Sequence, residues 1–142
     1  PHLAESLNYR RKRAGQTVSK GRLIAAQFEG YFANGHWYAN ARHANAMARL
    51  LSEGLQSLPG VRLAWPTEAN EVFPIVPNAL DEALRAAGAL YHSWTQVSLP
   101  EGERVGEDER LIRLVLSFAT KEAEVRRFLA AARSACRRHA AE

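Results

Sequence analysis

The sequence has 142 residues, 46% of them hydrophobic, which is enough for one well-formed core and too few for two ordinary domains. Its single cysteine, Cys136, excludes an internal disulfide and any cysteine-built metal site, as in proteins of a reducing, cytoplasmic compartment. The net charge of +4 is local: six of the 19 Lys and Arg (Arg10, Arg11, Lys12, Arg13, Lys20, Arg22) share the first 22 residues with one acid, Glu5, so a uniformly basic nucleic-acid surface is disfavoured.

Pro1, His2 and Leu3 open the chain without the basic and apolar regions of a secretion signal. Ala4 to Arg13 lacks Gly and Pro and reads as a helix, broken near Gly15. A second helix is expected from Ser19, a plausible N-cap. Leu23, Ile24, Gln27, Phe28, Tyr31 and Phe32 share one of its faces before Asn34-Gly35 ends the run. A third runs from Trp37 to Leu58, where Ala44, Met47, Ala48, Leu51, Leu55 and Leu58 recur at three- and four-residue spacing before Pro59-Gly60. That helix spans roughly 33 Å at 1.5 Å per residue.

The period then changes to that of strands. Val61 to Trp65, Glu71 to Val76, Leu90 to Trp94 and Arg110 to Phe118 are four extended segments, the last the most apolar. Pro74 cannot donate to a ladder and is expected at an edge or a bulge. A helix from Ala79 to Ala87, capped by Asn78 and ended by Gly88, separates the second and third strands. Another, from Lys121 to Ala140 and capped by Thr120, closes the chain and holds Cys136 half-buried. The acidic stretch Glu101 to Glu109 reads as an exposed, mobile loop. The order implies an α/β (α+β) unit: a small, mostly antiparallel sheet covered by helices and preceded by two or three helices. No apolar run is long enough to span a membrane.

The five histidines His2, His36, His43, His92 and His139 show no paired ligand spacing, so no metal site is expected. Nucleophile-elbow, Walker and dinucleotide-binding motifs are absent. Two features remain. Tyr9 to Arg22 leads a basic helix end through glycine and small residues into a helix start, where Ser19, Lys20 and nearby amides suit an anion unless the segment is a solvated basic face. Arg113 interrupts the apolar strand, with Ile112, Leu114 and Leu116 pointing one way and Arg113 and Val115 the other. Its partner is either a Glu of this chain or the carboxylate of a ligand.

Five collinear stretches resemble the bacterial low-specificity L-threonine aldolases, of the β-eliminating-lyase branch of fold-type-I pyridoxal-phosphate enzymes. They are Tyr-Arg-Arg-Lys-Arg-Ala-Gly-Gln (9–16), Ser-Lys-Gly-Arg-Leu-Ile-Ala-Ala-Gln (19–27), Ala-Arg-His-Ala-Asn-Ala-Met-Ala (41–48), Glu-Ala-Asn-Glu-Val-Phe (68–73) and Ile-Arg-Leu-Val-Leu-Ser-Phe-Ala-Thr (112–120). The resemblance implies the C-terminal small domain of such an enzyme over residues 37–142, with 1–36 a helical segment joining a missing N-terminal cofactor-binding domain. Such enzymes cleave a β-hydroxy-α-amino acid to glycine and an aldehyde through a Schiff base with pyridoxal phosphate. The Schiff-base lysine, the aspartate on the pyridine nitrogen and the stacking aromatic all precede the matched region, and Lys20 is not that lysine.

Two roles carry over by resemblance. Arg113 matches the arginine that binds the substrate α-carboxylate. Ser19 stands where many relatives have an arginine reaching the cofactor phosphate of a neighbouring subunit, so Ser19 and Lys20 are the expected substitutes. Pyridoxal phosphate is expected in the full-length homo-oligomer and not on this chain, which should be inactive alone. The alternatives are a C-terminal domain of another pyridoxal-phosphate lyase acting on an amino acid, or a small basic nucleic-acid-binding module built on Arg10 to Arg13. The last lacks an aromatic-lined face near its basic cluster.

Overall fold

The computed structural model describes residues 4–97 and 99–139. His2 and the expected helix end at Ala140 lie outside the described residues, as does the side chain of His139. Contacts divide the chain into two compact units, residues 1–37 and 38–142.

In the first unit, α1 (Ala4–Arg13) ends before Gly15, whose φ of 69° is the left-handed turn that a glycine makes without strain. Helix α2 (Gly21–Phe32) starts one residue later than expected, with Lys20 rather than Ser19 at its N-cap and no side-chain capping bond. The Gly21 and Leu23 amides are bonded instead to the Val18 and Lys20 carbonyls, 3.2 and 2.9 Å away, a tight turn that satisfies the helix start through the backbone. A 3₁₀ turn at Ala33–Gly35 follows, with Asn34 and Gly35 both at positive φ.

The second unit is α+β. Helix α3 (His36–Gln56), whose first two residues count with the first unit, precedes strands β1 (Arg62–Leu63), β2 (Glu71–Val72) and β3 (Pro74–Pro77), helix α4 (Asn78–Ala86), strands β4 (His92–Ser93) and β5 (Glu109–Val115), and helix α5 (Glu122–His139). Every strand pair is antiparallel: β5 bonds to β2 and β3, β3 to β1, and β4 also to β5. The strands are shorter than the apolar runs that announced them, because pairing, rather than composition, sets their ends.

Helices pack on one face of this sheet. Leu51 and Leu55 of α3, Leu80 and Leu84 of α4, and Val125, Leu129 and Ala132 of α5 meet Val72, Val76, Ile112, Leu114 and Leu116 in one core. The three- and four-residue spacing of each helix places these side chains on its inner face. Helices α3 and α5 approach so closely that a Cβ on Gly54 would collide with Leu129, which is why glycine stands there despite its low helix propensity. The other sheet face carries a smaller cluster of Ala64, Ile75 and Leu111 with Trp65, Phe73 and Leu99.

Four local expectations are corrected. Pro74 lies at neither edge nor bulge: β3 runs between β1 and β5, and the register of Val72 with Leu114 continues unshifted to Ile75 with Leu111. Proline removes a ladder bond without inserting a residue, so it divides β2 from β3 and leaves their alignment intact. Asn78 does not cap α4. Pro77 holds the N-cap position, and Asn78 donates from its backbone to the Asp108 carbonyl and from its side chain to that of Glu107. Thr120 does not cap α5 either: its hydroxyl accepts from the Ser117 amide at 2.9 Å, while Glu124 accepts from the Lys121 amide at 2.8 Å, one half of a capping box.

The acidic loop is the fourth, for it is tied down. Arg62 on β1 donates to Glu103, to Glu109 and to the Arg104 carbonyl, and the Gly106 amide donates to Glu109. Hydrogen bonding from Arg62 and then from the Gly106 amide lowers the Glu109 carboxyl from 4.5 to about 2. A carboxylate depressed in the folded state stabilises the fold above its unfolded value and loses that contribution as pH falls. After solvent screening, on the order of 1 to 2 kcal/mol should disappear between about pH 4.5 and about pH 2. Urea unfolding of the wild type and Glu109→Gln across that window checks this. The two curves should converge toward acid, and a constant gap would assign the pair no role.

Candidate functional site

Arg113 sits at the middle of β5, flanked on one side by β4 and on the other by the β2–β3 strand. Alternation sends Ile112 and Leu114 into the helix-covered core and turns Arg113 to the opposite face, as the sequence pattern indicates. Leu111, also on that face, belongs to the smaller cluster.

The guanidinium is held from two directions. Its Nε and Nη2 both donate to Oε1 of Glu71, at 2.9 and 2.6 Å. Glu71 is paired in register with Val115, which puts it diagonally across from Arg113 on the same face. The indole of Trp94 lies beneath the guanidinium carbon, 4.8 Å from it to the ring centroid. Trp94 itself contacts Phe73 at 5.6 Å, and Phe73 contacts Trp65 at 5.2 Å, so the indole rests on an aromatic row. The structure thus supplies the intrachain carboxylate that the sequence left as one of two options. The Arg113 and Glu71 side chains each remain 34% exposed, so the pair stays open to solvent and ligand.

Strand β4 brings His92 opposite Arg113, where its side chain is exposed. The segment just before it is tied to α4 through Asp81 and Arg85. Asp81, buried, takes two 3.1 Å bonds from the Nε of Arg85 and pairs with Arg110 at 3.6 Å, while the Tyr91 hydroxyl donates to the Asp81 carbonyl. Burial, and then Asp81, push the Tyr91 phenol above its ordinary range, so it stays protonated as a donor. Beside these bonds a cleft of about 420 Å³ opens between β4, the end of β5 and the start of α5. Leu51, Leu114, Leu116, Val125 and Phe128 give it largely apolar walls, and Arg113 and His92 also line it. His43 on α3 fixes the turn before α5 by donating from Nε2 to the Thr120 carbonyl at 2.7 Å.

Ser19 and Lys20 belong to the first unit, in the exposed turn before α2. Their hydroxyl and ammonium are chemically suited to a phosphate, but the Gly21 and Leu23 amides are already bonded. These residues fit the phosphate end of a pyridoxal phosphate and nothing of its ring. The lysines of the chain, Lys12, Lys20 and Lys121, are all exposed, whereas an amine activated for carbonyl chemistry is desolvated or placed beside another cation. Among the described residues no group of three or more His, Cys, Asp or Glu is placed to hold a metal, and no helix is long and apolar enough to cross a membrane.

Glu71, Trp94 and His92 were not singled out as site residues by sequence. Glu71 lies in the Glu-Ala-Asn-Glu-Val-Phe stretch, but only strand register shows that it faces Arg113. Trp94 and His92 lie in the extended segment expected from Leu90 to Trp94, but nothing in its pattern pointed toward Arg113.

No family model matches the chain. The low-specificity L-threonine aldolase of Pseudomonas aeruginosa is 41% identical to it, over 80% of this chain and 35% of that protein. The enzyme of the same name from a Pseudomonas species is 38% identical, over 90% of this chain and 34% of that protein. Among solved structures, a threonine aldolase of Leishmania major superposes with a TM-score of 0.67 at 30% identity, covering 80% of this chain and 30% of that one. The chain spans about a third of the length of the curated relatives it matches. Over most of its length the chain is thus similar in sequence to about a third of two low-specificity L-threonine aldolases, and in fold to part of a threonine aldolase.

Proposed function

We propose that this chain is the C-terminal domain of a pyridoxal-phosphate-dependent lyase that cleaves threonine-like β-hydroxy-α-amino acids to glycine and an aldehyde. The observation that carries this reading is Arg113: a guanidinium on an apolar strand, braced by Trp94 and Glu71 yet a third exposed, in a chain 41% identical to a threonine aldolase. Pyridoxal phosphate, when bound, supplies the electron sink that stabilises the charge left on the amino-acid carbon as the carbon–carbon bond breaks.

The work of this chain is binding and orientation. Arg113 grips the substrate by its α-carboxylate, which fixes the direction of the bond to be cleaved and lowers the entropic part of the barrier. Ser19 and Lys20 contribute a hydroxyl and a positive charge to the cofactor phosphate. The Schiff-base lysine and the remaining cofactor contacts come from an N-terminal domain that residues 1–36 join, and the full-length protein acts as a cytoplasmic homo-oligomer. The similarity to whole aldolases three times as long supports this division of labour.

The test is Arg113→Ala in the full-length enzyme. Loss of a charged hydrogen bond of about 1.5 to 3 kcal/mol should raise KM for threonine by a factor of roughly 10 to 150, with cofactor affinity nearly unchanged. Unaltered KM and kcat would make Arg113 a structural residue and end this reading.

A further inference from the structure

Glu71 uses one oxygen for two bonds to Arg113, both on the Nε–Nη2 side of the guanidinium. Among the described residues, Nη1 of Arg113 and Oε2 of Glu71 have no hydrogen-bond partner. The Nη1–Nη2 end is therefore open to a second carboxylate, and an unsatisfied carboxylate oxygen lies beside it. An ion pair this exposed contributes little to stability, which gives the fold little reason to place an acid here.

We propose that Glu71 sets the ligand class at Arg113, selecting a zwitterionic α-amino acid over a plain carboxylate. It rests on the reading of Arg113 as a carboxylate-binding residue and adds a second role to the same site. Arg113 and Glu71 together carry almost no net charge, so a free anion gains little by approaching the pair. A zwitterion gains twice: its carboxylate meets the open guanidinium end while its ammonium meets Oε2. Trp94 lies against the guanidinium, 4.8 Å from its carbon to the ring centroid, and restrains it from one face. Glu71 is thus a specificity-determining residue that touches the ligand before any chemistry begins.

The experiment titrates the ¹⁵N-labelled 142-residue chain separately with acetate and with glycine at fixed ionic strength, following the Arg113 Nε–H and the Trp94 indole N–H by NMR. The wild type should bind glycine more tightly than acetate. Glu71→Gln keeps the shape and an acceptor oxygen but removes the charge. It should raise acetate affinity about five- to tenfold, leave glycine unchanged or weaker, and so invert the preference. Glu71→Asp should keep the wild-type order, and Arg113→Ala should bind neither ligand. A wild-type ratio in Glu71→Gln, or a wild type that prefers acetate, overturns the role of Glu71 and leaves Arg113 untouched. A wild type that binds neither ligand, or Arg113→Ala that binds both as well as the wild type, removes the reading of Arg113 and this inference with it.

Discussion

Mixed with stoichiometric pyridoxal phosphate and excess threonine, the 142-residue chain will release no glycine and develop no lysine-linked visible absorbance. The reaction needs an amine able to exchange with the cofactor aldehyde inside a site that excludes water. Lys12, Lys20 and Lys121 are all exposed, so none stands inside a site that excludes water. On the proposed reading Arg113 orients an amino acid, but an orienting group with no reactive partner gives no turnover. The effect is all-or-none, set against the full rate of an intact aldolase. Coupled detection of the aldehyde, with borohydride trapping and intact mass as a second readout, decides it. Turnover above the rate with free cofactor, or a single trapped adduct on one lysine, would defeat this expectation.

The second large effect is on association. In the first unit, Leu23, Ile24, Phe28, Tyr31 and Phe32 each leave about half or more of their surface exposed, although they occupy one side of α2. Phe28 and Phe32 stack at 6.3 Å, and Tyr31 and Trp37 meet Phe32 edge-on at 5.2 and 5.8 Å, so the patch is continuous. Contiguous apolar surface on the order of several hundred Å² marks an interaction site. Under the function proposed above, that partner in the full-length protein would be the cofactor-binding domain and a neighbouring subunit. Without them the patch should cover itself, most simply as a symmetric dimer. Sedimentation at several concentrations should show association of residues 1–142 and none for residues 37–142. Monomeric behaviour by both, with α1 and α2 ordered on the monomer surface, would show that the patch finds its cover within the chain.

The helices were legible in the sequence because each depends on local spacing. Leu51 and Leu55, Leu80 and Leu84, and Val125 and Leu129 recur at intervals that place them on one face, whatever packs against it. The alternation around Arg113 was legible for the same reason, and it identified the one charged side chain within the apolar run from Leu111 to Leu116. Helix caps were not: Asn78 and Thr120 bond to other backbone groups, and the start of α2 is satisfied by backbone bonds without Ser19, so the three-dimensional neighbourhood decides. Pro74 was misplaced because a proline forbids a hydrogen bond, whereas an edge or a bulge is only one way of avoiding it.

The sequence by itself determined the element order, the apolar faces, the basic first segment and the kinship with threonine aldolases, all properties carried by neighbouring residues or by similarity along the chain. The tertiary structure decided what surrounds Arg113. Glu71 lies 42 residues before it, and Trp94 comes from a third segment, beyond α4. A pattern of residue types cannot state the register of two strands, and a shift of one residue would turn Glu71 into the helix-covered core. The open end of the guanidinium and the free oxygen beside it exist through that register, because pairing across the sheet brings distant charges to within hydrogen-bonding distance.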